Sequence, residues 1–207
     1  MKKMLCALLA LALMLCGFAM AETVAPQSSF DPNEGTYPAA FDRNALKDGA
    51  LNDVKLYTED VYDIVDVSKM AVGDSFEAEG KTITVETLET DEFGNINING
   101  GFEAENGYTL TTEEDTNGYT TTEYNDFCTY TERGTCNLPL AENVTFTDSS
   151  DIDADALLSG KEPLTATGIE AVTKAIMESE HDSFYDHNTE IVIKDGKIVE
   201  INRRFVP

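Results

Sequence analysis

The acidic triplet Asp151-x-Asp153-x-Asp155, followed by Ser159 and Glu162 at the ninth and twelfth places from Asp151, is the stretch of this sequence closest to a metal site. Alternating carboxylates closed by a distal acid supply the oxygen ligands that calcium prefers. The sixth place holds Ala156, however, where such a loop has glycine for its sharp turn. Leu157 and Leu158 also favour a helix, which would splay the acids. Asp148 and Asp151 suit helix caps, and an Asp-rich first turn is favoured by the helix dipole. Two readings therefore stand together: calcium held by Asp151, Asp153, Asp155 and Glu162, or a capped acidic helix start.

His181 and His187, the only histidines, flank Asp182 and Asp186. Two imidazoles and two carboxylates are a donor set for a transition metal, and the histidines are the conventional general bases available. Their six-residue spacing matches neither one helix face nor a zinc signature, so a polar loop with Phe184 and Tyr185 packed inward is the alternative. No Gly-x-Ser-x-Gly elbow, Walker loop or His-Glu-x-x-His pair occurs, and no catalytic residue is assigned. Tyr124 and Tyr130 share strand parity with Cys128, a pattern that would place a tyrosine patch on one strand face for ligand or partner recognition. Asn95, Asn97 and Asn99 alternate with Ile96 and Ile98 and read as the wet side of a half-buried strand ended by Gly100-Gly101.

Location follows from the first residues. Lys2 and Lys3 precede an uncharged apolar run over residues 4–18, and Ala19-Met20-Ala21 offers a small-x-small cleavage pattern before Glu22. That is the layout of a secretory signal peptide covering residues 1–21, too short for a spanning helix. Cys16 is a rival lipid-anchor site, but Leu15 stands where lipoprotein processing requires a small residue. After cleavage Cys128 and Cys136 are the remaining thiols. In an exported chain they read as a disulfide, with Gly134 as the turn of a short hairpin between them.

The chain of 207 residues carries Lys+Arg 14 against Asp+Glu 39, a formal net charge of -25. Such a field repels phosphate backbones and anionic lipid and attracts cations, so nucleic acid is a poor partner and a cationic ligand a good one. The hydrophobic fraction of 42% is enough for a packed core. Residues 22–45, with Pro26, Pro32 and Pro38 and no hydrophobic period, read as a flexible leader. Residues 46–207 read as a single β-rich domain. Short β-branched runs at 61–67, 82–88, 95–99 and 108–130 are punctuated by Glu79-Gly80, Asn106-Gly107, Asn117-Gly118 and Asp195-Gly196, pairs that supply the positive φ of hairpin turns.

The last hairpin is the clearest. A two-residue turn at Asp195-Gly196 pairs Ile193 with Ile198 and Val192 with Val199, leaving both faces apolar. Residues 168–179 form a helix with Ile169, Val172 and Ile176 in one stripe and Thr167 as its cap. A mainly β fold with minor α follows: a small antiparallel barrel or roll, OB-like, with one or two helices on its side.

The stretches Val61-Tyr-Asp-Ile-Val-Asp-Val67 through Val72-Gly73-Asp74, and Glu190 through Ile201 about the Asp-Gly turn, resemble segments of exported proteins of gut Gram-positive bacteria that have no assigned activity. The resemblance implies export and β-rich structure and brings across no site residue. The expectation is an exported, non-catalytic binding module. The alternatives are a secreted hydrolase using carboxylates or the His181/His187 region, and a calcium-stabilised structural domain.

Overall fold

A computed structural model describes residues 21–113, 118–122, 128–179 and 183–206. The fold is mainly β with minor α. The first half of the chain contains β1 (Thr23–Val24), β2 (Gly35–Asp42), β3 (Leu46–Lys47), β4 (Ala50–Glu59), β5 (Val61–Asp63) and helix α1 (Ile64–Lys69). Short strands β6 (Ser75–Ala78), β7 (Lys81–Thr84), β8 (Leu88–Thr90), β9 (Ile96–Ile98), β10 (Tyr108–Glu113) and β11 (Gly118–Thr122) follow. The long β12 (Tyr130–Ser149) leads to α2 (Ala154–Leu158), β13 (Leu164–Thr167) and α3 (Ile169–Glu178). The chain then ends in β14 (Ser183–Phe184), β15 (Thr189–Lys194) and β16 (Lys197–Arg204).

Five ladders return to their starting strand: β2 with β4, β4 with β12, β12 with β16, β16 with β15, and β15 with β2. Only β12 with β16 is parallel in this set. The length of β12 makes the circuit feasible, because its first part (Tyr130 to Pro139) lies against β4 and its second part (Leu140 to Ser149) against β16. Two bulges keep the apolar side chains inward. Asp53, at φ 52, shifts parity between Leu51 and Val54, so that both are fully buried. At the last hairpin Ile193 pairs with Ile198 as anticipated, but Val192 pairs with Glu200 and Val199 bulges out. The bulge turns Ile201 onto the side of Ile198, where Ile191, Ile193, Ile198 and Ile201 are all buried. The expected Val192–Val199 pair is therefore replaced, and the apolar content gathers on one face. Helix α3 covers this core with Val172 and Ile176. Its cap is Gly168 at φ 87 rather than Thr167, which ends β13.

The leader expectation for residues 22–45 is overturned. β2 stands between β4 and β15, with Tyr37, Ala39 and Phe41 in the main core. Prolines hid the strand: Pro38 falls opposite Glu190, and alternation runs through Tyr37, Ala39 and Phe41 regardless. The Tyr37 hydroxyl accepts from Asp31 N (2.8 Å) and lies 3.0 Å from the carbonyl oxygens of Asp31 and Glu34, which share its one proton, and so fixes the turn before the strand. Gly35 is required there, since a Cβ would fall 2.5 Å from that hydroxyl.

Between β4 and β12 the chain builds a second core from Tyr62, Val67, Met70, Phe76, Ile98, Tyr108 and Leu110. The expected strand over 61–67 stops at Asp63, whose carboxylate accepts from Val65 N (2.7 Å) and Asp66 N (3.3 Å) and starts α1. The two cores meet at Asp60, which is fully buried. Its carboxylate accepts from the hydroxyls of Thr131 (2.5 Å) and Thr129 (2.8 Å) and from Glu79 N (2.8 Å). Burial raises this carboxyl above its ordinary value in spite of those donors. Among the described residues no helix is long and apolar enough to cross a membrane.

Candidate functional site

A cleft of about 400 Å³ opens where several strand ends of the roll converge. β4 brings Thr58 and Glu59, β12 brings Tyr130, β15 brings Glu190, β16 brings Arg204, and the turn before β15 brings Asp186. Residues 28 and 29 form one wall. They are held there by the Gln27 N–H on Val61 O (2.8 Å) and by the Ser28 hydroxyl on Glu59 O. Among the described residues, three acids and one cation thus face the same space.

Each functional side chain is positioned from behind. His187 packs edge-on to Tyr130, with ring centroids 5.0 Å apart, and its Nδ1 lies 3.1 Å from Asp186 Oδ1. The bond to His187 holds the Asp186 carboxyl below its usual range, so Asp186 is a carboxylate at neutral pH. Arg204 Nε donates to His187 O (2.8 Å), which steers its guanidinium along the rim. Cys128 contacts both Tyr130 and Glu59, and burial pushes its thiol up to about 12. Burial raises the Tyr130 phenol as well. Thiol and phenol therefore stay protonated: they offer hydrogen bonds and a ring face, not a nucleophile.

The other sequence candidates scatter. Tyr124 and His181 lie outside the described residues. Asp151 is paired with Lys161 Nζ (2.6 Å), and Asp153 Oδ1 accepts from Ala156 N (2.8 Å) as the cap of α2. Asp155 sits in the first turn of α2, and Glu162 beyond it is exposed. The calcium arrangement of Asp151, Asp153, Asp155 and Glu162 is thereby corrected to the capped helix start. Among the described residues no group of three or more His, Cys, Asp or Glu side chains is placed to hold a metal ion.

The Cys128–Cys136 disulfide is corrected too; both thiols are free. Rather than turning at Gly134, the chain continues past it along β12 with a bulge at Arg133, and Tyr130 lies opposite Glu59 and Cys136 opposite Val54. Six residues of strand alone put ~20 Å between those two positions, far beyond the reach of one S–S bond.

Sequence reasoning missed Glu59, Glu190 and Arg204. Two signals pointed to Arg204. Arg203-Arg204 is a rare paired cation in this acidic chain, and strand parity sends one member inward and the other out. Arg203 is the inward one, fully buried against Asp148. The chain matches no protein-family model, and neither curated proteins nor solved structures gave a match.

Proposed function

We propose that this protein is an exported, non-catalytic binding module that takes a cationic ligand in the Tyr130 cleft. The observation that carries the reading is the convergence of Glu59, Asp186 and Glu190 on a concave site beside the Tyr130 ring, with Arg204 as the single opposing charge among the described residues. Carboxylates and an aromatic face together suit an ammonium or guanidinium group. The cyclic strand order, with β12 and β16 parallel and α3 between β12 and β15, supports an OB-like roll. Such folds present ligands on their second and third strands, here β4 and β12, which bring Glu59 and Tyr130. Export is supported by the leading apolar run and its small-x-small end.

Calorimetric titration with spermine and with a lysine-rich peptide tests the reading. Saturable binding at low salt that weakens as salt rises is expected. Glu59→Gln combined with Glu190→Gln should lower affinity by about three- to tenfold or more. Tyr130→Ala should lower it as well. The reading fails if neither probe saturates, or if the double variant binds as tightly as the parent. The Asp186–His187 pair favours a second reading, a secreted hydrolase with His187 as base. Turnover of glycoside or ester substrates by the parent, lost in His187→Ala, would replace binding by catalysis.

A further inference from the structure

The backbone of Glu22, the residue directly after the small-x-small pattern, is held at both of its polar atoms. Its N donates to Asp74 Oδ1 (3.0 Å), and its carbonyl oxygen accepts from Ser75 N (2.9 Å). Asp74 is itself fixed, because its second oxygen accepts from Ala71 N (2.9 Å). Thr23 and Val24 then pair in parallel with Ser75 and Phe76, and Val24 is buried in the second core. Among the described residues, the contacts that hold this strand begin at the residue that a cut after Ala21 would make the first. The atom already lodged against a carboxylate is the one such a cut would turn into an amine.

From this juxtaposition we infer that Ala21–Glu22 is the processing site and that Asp74 is the receptor for the new α-ammonium, so that maturation adds an ion pair to the β1–β6 join. The cleavage half rests on the export reading above. Water adds its oxygen to the Ala21 carbonyl carbon, the C–N bond breaks, and both water hydrogens end on Glu22 N. Ala21 leaves as a carboxylate and Glu22 begins as –NH₃⁺. The reaction belongs to a signal peptidase acting at the membrane. An amide hydrogen bond from Glu22 N becomes a charge-assisted one without moving a heavy atom. A cut one residue earlier would place the charge ~3.8 Å further along the chain and lose that contact.

Two measurements test the halves separately. The full chain is secreted from a bacterial host, and the intact mass of the released protein is determined. A first residue of Glu22 is expected, and any other first residue, or retention of the chain with residues 1–21 attached, overturns the processing site. Independently, chains beginning at Ala21 and at Glu22 are released in vitro with a sequence-specific protease and melted side by side. The Glu22 form should melt about 1–3 °C higher, an ordinary yield for one exposed ion pair in a chain of this size. Both Asp74→Asn and acetylation of the Glu22 amine should erase the difference. Equal melting of the two parent forms, or a difference that survives in Asp74→Asn, overturns the Asp74 receptor whatever the outcome of secretion.

Discussion

The roll and the lobe inserted between β4 and β12 solve one problem in two ways. The roll buries branched aliphatic side chains, among them Leu51, Leu56, Ile191, Ile193, Ile198 and Ile201, on long strands whose ladders meet in a circuit. The lobe relies on three aromatic rings, with Phe76 4.8 Å from Tyr62 and 5.5 Å from Tyr108, on strands too short to satisfy their own turns. Asparagine and aspartate side chains complete those turns. Asn99 accepts from Glu86 N and Thr87 N, and Asp91 accepts from Phe93 N and Asn95 N. Each region also meets a buried carboxylate. In the roll, Asp148 faces Arg203, whose guanidinium lies 4.4 Å from the Phe184 ring centre, and the arginine holds the acid below its ordinary value. At the join, Asp60 faces neutral hydroxyls and an amide, and burial drives it the other way. Burial raises both acids, and the direction depends on whether the donors, Arg203 and Ser150 at Asp148, outweigh it.

The largest test removes one partner of the charged pair. Asp148→Ala leaves Arg203 buried without its carboxylate and should cost about 3–5 kcal/mol in urea unfolding. Phe76→Ala should cost the lobe a similar 3–5 kcal/mol. Its loss should be local: hydrogen exchange should speed up at Tyr62, Ile98 and Leu110 while Ile191 and Ile201 keep their protection. If all amides open together, the two cores form one cooperative unit and the comparison fails.

Asp60→Asn should have a smaller effect, about 1–3 kcal/mol, because neutral donors lose an acceptor but no charge is stranded. The pH dependence sharpens this contrast, since the two acids have opposite signs. Asp148, depressed in the fold, contributes stability above the ordinary carboxylate value of 3.8, and that contribution is lost as pH falls through its folded value. Asp60, raised in the fold, contributes below that value, and its contribution is lost as pH rises through its folded value. Relative to the parent, Asp148→Asn should therefore grow more destabilising from pH 3 to pH 6, and Asp60→Asn less so. Parallel curves would remove the distinction. The smallest expected effect belongs to the cysteines. A thiol assay of the purified chain from Glu22 onward in denaturant should find both Cys128 and Cys136 reactive without reductant, and dithiothreitol should leave the melting point in place.

Parts of the site could be read ahead of the fold. Tyr130 and His187 stood out by residue type, and they do meet. Glu59 and Glu190 carried no local mark, and the paired cations at Arg203-Arg204 did not say what Arg204 would face, because Glu59 and Tyr130 lie far along the chain from the last hairpin and only ladder pairing assembles them. The acidic triplet offered two readings, and Ala156 in place of glycine already counted against the calcium loop. The structure forms the capped helix start, with Asp153 accepting from Ala156 N and Asp151 paired with Lys161.

By itself the sequence determined what depends on near neighbours. The Asp195-Gly196 turn forms with φ 50 and 69 because those residues tolerate the left-handed region, and α3 forms because Val172 and Ile176 lie on one stripe. The tertiary structure decided what depends on a distant partner: the bulge at Val199, the enrolment of β2 despite its proline, and the continuation of β12 past Gly134. In each case the local preference is worth less than the apolar area and ladder bonds that a strand from elsewhere offers, so the outcome is fixed only when that strand arrives.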